Sequence, residues 1–171
     1  QYGHSAVLQL LLAAGADVDA AAADESTALH YAAQRGHAAV VQLLVDANPG
    51  QFGGHEAGRT PIFLAATRGH VQVVKLLLAP SQPVLYMLCA ASTAAEEGHA
   101  ELAIVVIKGL MERDMILAAA EVSAHLDNQL FSPQLAGIVL LQWQAAEGTV
   151  GKQEARGPAL QQLLVAIASA H

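Results

Sequence analysis

The sequence predicts an all-α solenoid of stacked helix-turn-helix repeats with short hairpin fingers, and three observations carry that prediction. One wording recurs: TALHYAAQRGHAAVVQLLV from Thr27 to Val45, TPIFLAATRGHVQVVKLLL from Thr60 to Leu78, GHSAVLQLLLAAGAD from Gly3 to Asp17, and a worn AAEEGHAELAIVVI from Ala94 to Ile107. Its period is fixed, since Gly3 to Gly36 and Gly36 to Gly69 are each 33 residues, the mark of a repeat array rather than of one closed domain. Each copy carries apolar residues at i, i+1, i+3 and i+4, as in Val40, Val41, Leu43 and Leu44 or Val73, Val74, Leu76 and Leu77, a stripe wide enough to be covered from both sides by neighbouring repeats.

Residues 1–20 form a partial first repeat, in which Gly3 and His4 align with Gly36 and His37. Its Val7, Leu8, Leu10 and Leu11 are expected to face a vacancy, because the end of a solenoid normally carries a polar capping unit. That expectation reads the chain as a fragment of a longer array. Residues 21–53 and 54–82 are the second and third repeats. In each a threonine, Thr27 or Thr60, stands where a helix must start and offers a hydroxyl to an orphan backbone N–H; Pro61 then fits the first helical position. Ala32, Ala33, Ala65 and Ala66 are small where helices must approach closely, and Gly36 and Gly69 stop the short first helix where a left-handed backbone is needed. Gly15 and Asn48 are placed at the ends of second helices as residues tolerant of the same conformation. Ala16 to Ser26 and Pro49 to Arg59 remain as the fingers, with Gly53, Gly54 and Gly58 suiting a turn.

Residues 83–111 read as a degenerate fourth repeat at shorter spacing, Gly69 to Gly98 being 29 residues, with Cys89 and Ala90 where a Thr-Pro start would stand. Pro80 and Pro83 argue against a paired hairpin before it. Residues 112–148 read as a degenerate fifth repeat, with one helix from Asp114 to about His125 and another from Ser132 to Glu147 carrying Leu135, Ile138, Val139, Leu141 and Gln142. Residues 149–171 are a polar loop and a last helix from Pro158, serving as a cap.

The net charge of −7, with 8 Lys and Arg in all, argues against a phosphate-backbone binder, which needs clustered cations. A single cysteine, Cys89, excludes an intrachain disulfide and points to a reducing, intracellular setting; its expected role is a small buried apolar residue. No run approaches the roughly 18 apolar residues of a membrane span, although the mean hydropathy is +0.38.

The segment Thr60 to Leu78 resembles the ankyrin repeat, whose first helix opens Thr-Pro-Leu-His-x-Ala-Ala. The resemblance is clear over residues 3–110 and degenerate over 111–171. It implies a non-catalytic protein-protein interaction scaffold that binds its partner on a concave surface of finger tips and first helices. By register that surface takes Asp24, Ser26 and Glu56 from the fingers, Arg59 beside them, and Gln34, Arg35, Thr67, Arg68, Glu96 and Glu97 from the ends of first helices. Arg35, Arg59 and Arg68 gather in an otherwise acidic chain, so the expected partner is a protein with an acidic patch. The alternative is a regulatory or substrate-recruiting segment of a larger enzyme, channel or ubiquitin-ligase subunit. The resemblance also makes His4, His30, His37, His70 and His99 structural residues that hydrogen-bond between units. Spaced about one repeat apart, they do not converge on a metal ion, and no cofactor is implied.

Other chemical motifs give way to simpler readings. Gly53 to Thr60, GGHEAGRT, nearly spells a phosphate-binding loop, but Arg59 replaces the lysine and a Gly-rich turn replaces the preceding strand. His99 and Glu101 match half of a deaminase signature whose cysteine half is missing. Ser123, His125 and Asp127 lie two apart along one helix and point in different directions, which no catalytic triad does.

Overall fold

The computed structural model describes residues 4–48, 59–78 and 83–112, and helical residues 134–135, 137–139 and 141–142. Seven helices with full bounds lie among them: α1 (Ser5–Ala13), α2 (Ala28–Gln34), α3 (Ala38–Ala47), α4 (Pro61–Thr67), α5 (Val71–Leu77), α6 (Val84–Glu96) and α7 (Ala100–Glu112). No strand occurs among the described residues. Two compact units divide the chain, residues 1–82 and 83–171.

In the first unit α2 packs on α3 and α4 on α5 within their repeats, while α2 meets α4, and α3 meets both α1 and α5, across repeats. Like helices are therefore stacked side by side. The caps are those the threonines promise. Thr60, only 1% exposed, accepts a hydrogen bond from the Phe63 backbone N–H at 3.3 Å, with Pro61 directly after it. Thr27 forms a capping box in which His30 holds the place usual for Glu or Gln: the Thr27 backbone N–H donates to His30 Nδ1 at 3.2 Å.

The first helix of each pair then stops in the same way. After α2 the Gly36 N–H donates to the Ala33 carbonyl at 3.2 Å and the His37 N–H to the Ala32 carbonyl at 3.0 Å, the paired bonds of a Schellman motif. The same pair follows α4 at Gly69 and His70, α6 at Gly98 and His99, and α1 at Gly15 and Ala16. At Gly36, with φ +74°, the requirement for glycine is double, because a Cβ there would lie 2.6 Å from His70 Nδ1. His70 crosses from the third repeat to the second, where its Nε2 lies 3.1 Å from the Gln34 carbonyl oxygen and, with that nitrogen protonated, donates to it. The turn of one repeat is thus shaped to seat the histidine of the next.

The core follows the register. Ala32, Ala33, Ala65 and Ala66 are 4%, 0%, 0% and 0% exposed, and with Val41, Leu44, Val73, Val74 and Leu77 they form the apolar interior of the stack. Val40, Leu43 and Leu76, expected in the same stripe, are only half-buried, since they sit at its edge. Along α1 no residue is buried, and Val7, Leu10 and Leu11 are exposed as the register anticipates. The finger after it closes on a tight turn, where the Glu25 N–H donates to the Ala22 carbonyl and the Ala22 N–H to the Ser26 carbonyl, both at 2.9 Å.

Two expectations need correction and one needs an addition. Asn48 ends α3 at φ −143°, in extended rather than left-handed backbone; its amide instead donates to Asp19 Oδ2 at 2.6 Å, tying the end of one second helix to the loop after the previous one. His30 also serves its own helix cap, a role the expectation did not give it, and His70 makes a hydrogen bond that joins two repeats. The first helix of the second unit starts at Val84, not near Cys89: Pro83 at φ −58° opens it, and Leu85 to Leu88 are good helix-forming or apolar residues that extend it toward the N-terminus.

In that second unit α6 and α7 pack against each other, burying Met87, Leu88, Ala90, Ala91, Ala94, Leu102, Ala103, Val106, Ile107 and Leu110. Cys89 is half-buried, and burial pushes its thiol pKa up, away from the reactive thiolate. Leu135 and Val139 are buried, and Leu141 is 65% exposed. The helices expected at 114–125 and 158–170 and the second finger at 49–58 lie outside the described residues.

Candidate functional site

Finger and first helices of the second and third repeats meet around one open cavity of about 210 Å³, lined by Asp24, Ser26, His30, Tyr31, Gln34, Arg59 and Leu64. Its parts arrive from four places: the finger supplies Asp24 and Ser26, α2 supplies His30, Tyr31 and Gln34, the lead into α4 supplies Arg59, and α4 itself supplies Leu64. The repeat stacking is what sets α2 and α4 side by side and so brings Arg59 to the same cavity as Asp24 and Tyr31.

The finger is braced by its own carboxylate. Asp24 accepts the Ser26 backbone N–H at 3.2 Å and the Ser26 hydroxyl at 3.0 Å, and the Tyr31 hydroxyl approaches both carboxylate oxygens at 3.4 Å. The backbone bond from Ser26, then the hydroxyl bond, hold the Asp24 pKa below its ordinary value. A depressed carboxylate stabilises the fold above the ordinary aspartate range, and that contribution disappears as pH falls through the lowered value. On acidification the Ser26 amide and Tyr31 ring resonances are therefore expected to shift together, with a midpoint below that of an unperturbed aspartate. NMR titration checks this, and Asp24→Asn is expected to abolish the transition.

Of the ten residues the register picks out, the structure brings Asp24, Ser26, Gln34 and Arg59 to this cavity. Arg35 and Arg68 lie at the ends of α2 and α4 and are exposed but do not line it. Thr67 turns its hydroxyl back on its own helix, donating to the Phe63 carbonyl at 2.7 Å. Glu96 and Glu97 are exposed at the end of α6 in the second unit, where Glu96 accepts from the Ser92 hydroxyl at 3.2 Å. Glu56 lies outside the described residues.

The register missed His30, Tyr31 and Leu64. Tyr31 stands between buried His30 and Ala32 and is 40% exposed, an uncommon place for a ring without a task, and that exposure is visible in the structure rather than in the register.

Among the described residues no group of three or more His, Cys, Asp or Glu is gathered in the manner of a metal site. No helix among them is long and apolar enough to cross a membrane.

Residues 1–85 match the family model described as ankyrin repeats in three copies. A comparison with curated proteins finds no match. Ankyrin repeats are in general modules of protein-protein interaction, and members of the family are typically non-catalytic. With three matched copies falling on a unit that recurs every 33 residues, and with its helix pairs stacked like upon like, residues 1–85 are built of repeats of the ankyrin family.

Proposed function

We propose that the protein is a non-catalytic scaffold that holds a partner protein on the face formed by the finger and the first helices of its second and third repeats. The observation that carries this is the cavity itself: residues that the ankyrin resemblance and the repeat register select, Asp24, Ser26, Gln34 and Arg59, converge on one open depression beside an exposed tyrosine. Aromatic and arginine side chains are the groups that most often anchor protein interfaces. The opposite, apolar sides of these helices are consumed by the stack and are not available for binding.

Charge points to the partner's character. Arg35, Arg59 and Arg68 are exposed in a chain of net charge −7, so a complementary surface carries carboxylates. By register Glu56 and Thr67 extend the proposed contact set within the first unit, and Glu96 and Glu97 are the corresponding positions of the second unit taken by itself.

The test is capture of partner by the wild-type chain and by Arg35→Glu/Arg59→Glu/Arg68→Glu, followed by affinity measurement across salt concentrations. The triple variant is expected to lose at least about tenfold in affinity, and with it most of the salt dependence, three rim charges contributing up to roughly 1 kcal/mol each. Unchanged affinity and unchanged salt dependence would remove these arginines from the interface.

A further inference from the structure

Among the described residues two charged groups, Asp24 and Arg59, line the cavity, and of these Asp24 is the one held by other described residues. The Asp24 carboxylate is surrounded by donors from within the finger and from Tyr31, so it works as a brace. Arg59 is exposed and, among the described residues, has no carboxylate within ion-pair distance. Gln34 also lines the cavity; its backbone carbonyl is taken by His70, and its side-chain amide brings two N–H donors. Leu64 and the Tyr31 ring supply apolar walls.

Resting on the reading that this face receives a partner, we propose that the cavity is a receptor for one carboxylate side chain, a glutamate or aspartate of the bound protein. The planar guanidinium of Arg59 presents a fork of donors matched to two carboxylate oxygens, and the Gln34 amide adds a neutral donor in the same cavity. The methylene stem of the incoming residue lies along Leu64 and the Tyr31 ring. A phosphate is the poorer occupant, because among the described lining residues a single arginine faces it, too few cationic donors for a tetrahedral dianion that Asp24 also repels. A cationic side chain is poorer still, since Arg59 opposes it and Asp24 is already partly engaged by Ser26 and Tyr31.

NMR titration of the whole chain with N-acetylglutamate amide, N-acetylglutamine amide, N-acetylarginine amide and N-acetylphosphoserine amide, each to tens of millimolar, tests this without knowledge of the partner. The glutamate compound is expected to shift the Arg59 Nε–H, the Gln34 side-chain amide and the Tyr31 ring, binding roughly twofold to fivefold more tightly than the glutamine compound, the range of an exposed ion pair. Arg59→Ala is expected to erase that preference and Arg59→Lys to retain part of it, the charge being kept while the fork is lost. Because Arg59 is exposed, neither variant is expected to change the thermal midpoint appreciably.

Equal response to glutamate and glutamine, no response at these residues, or tighter binding of the arginine or phosphoserine compound would each overturn the proposal. Its failure is separable from failure of the broader reading. A partner that protects α2 and the finger while the glutamate compound leaves Arg59 untouched sinks the carboxylate receptor alone; a partner that protects other surfaces while the compound still binds Arg59 sinks the face assignment alone.

Discussion

Gly36→Ala is expected to cost roughly 2–4 kcal/mol of stability, far more than an ordinary surface substitution. Two effects add. The backbone at Gly36 has φ +74°, where any residue with a Cβ pays about 1–2 kcal/mol. The new methyl would also lie 2.6, 2.7 and 2.9 Å from Nδ1, Cε1 and Cγ of His70, so the whole ring must move rather than only its tip. Displacing it breaks the hydrogen bond to the Gln34 carbonyl, worth about 1 kcal/mol, and leaves that carbonyl without its partner from the third repeat. Gly15→Ala is the control. Its φ is +80°, yet no heavy atom lies within 4 Å of the added methyl, so only the backbone cost of about 1–2 kcal/mol applies. Urea unfolding of the two variants gives the comparison, and equal losses would show that the fit between Gly36 and His70 contributes nothing.

Leu77→Ala is expected to be at least as severe, roughly 2–5 kcal/mol, because Leu77 is 0% exposed between neighbouring helices and the stack cannot collapse around the cavity left behind. Leu44→Ala, at 2% exposure, falls in the same range. One repeat earlier the same register position is Leu11, and there the expected loss is below about 1 kcal/mol, since the side chain is 52% exposed. Thermal or urea unfolding of the three variants separates burial from residue type. A large loss at Leu11 would mean that α1 is covered in solution by something other than α3.

The repeats were legible because each of their parts has a local cause that leaves a trace in the sequence. Thr60-Pro61 can cap a helix and begin it; Ala65-Ala66 allows close approach; Gly69-His70 ends one helix and starts the next. These signals recur at fixed spacing, so the register of one repeat predicts burial in the next, as Leu44 and Leu77 show. What lacked a local cause was not legible. The early start of α6 depends on Pro83 and on the helix formers behind it, which compete with the register inherited from Gly98. Asn48 was assigned by its tolerance of left-handed backbone, whereas its position is set by a partner 29 residues away, Asp19. Distance in sequence hid that contact.

The cavity was half legible for the same reason. Asp24, Ser26, Gln34 and Arg59 follow from register, because fingers and first-helix ends recur. Tyr31 does not, since at the corresponding place in the third repeat stands Leu64, and the two meet only once α2 and α4 are side by side. A single sequence records which residues a repeat carries; the pairing of residues from adjacent repeats is a property of the stack.

The most direct measurement is hydrogen exchange of the chain alone and bound to a partner recovered on the immobilised wild-type protein. Slowed exchange is predicted in the finger around Asp24 to Ser26 and along α2 and the start of α4, with α3 and α5 unchanged at their exposed Gln42, Asp46, Gln72 and Lys75. Protection centred on that outward side of α3 and α5, with the finger and α2 exchanging as in the free chain, would contradict the account.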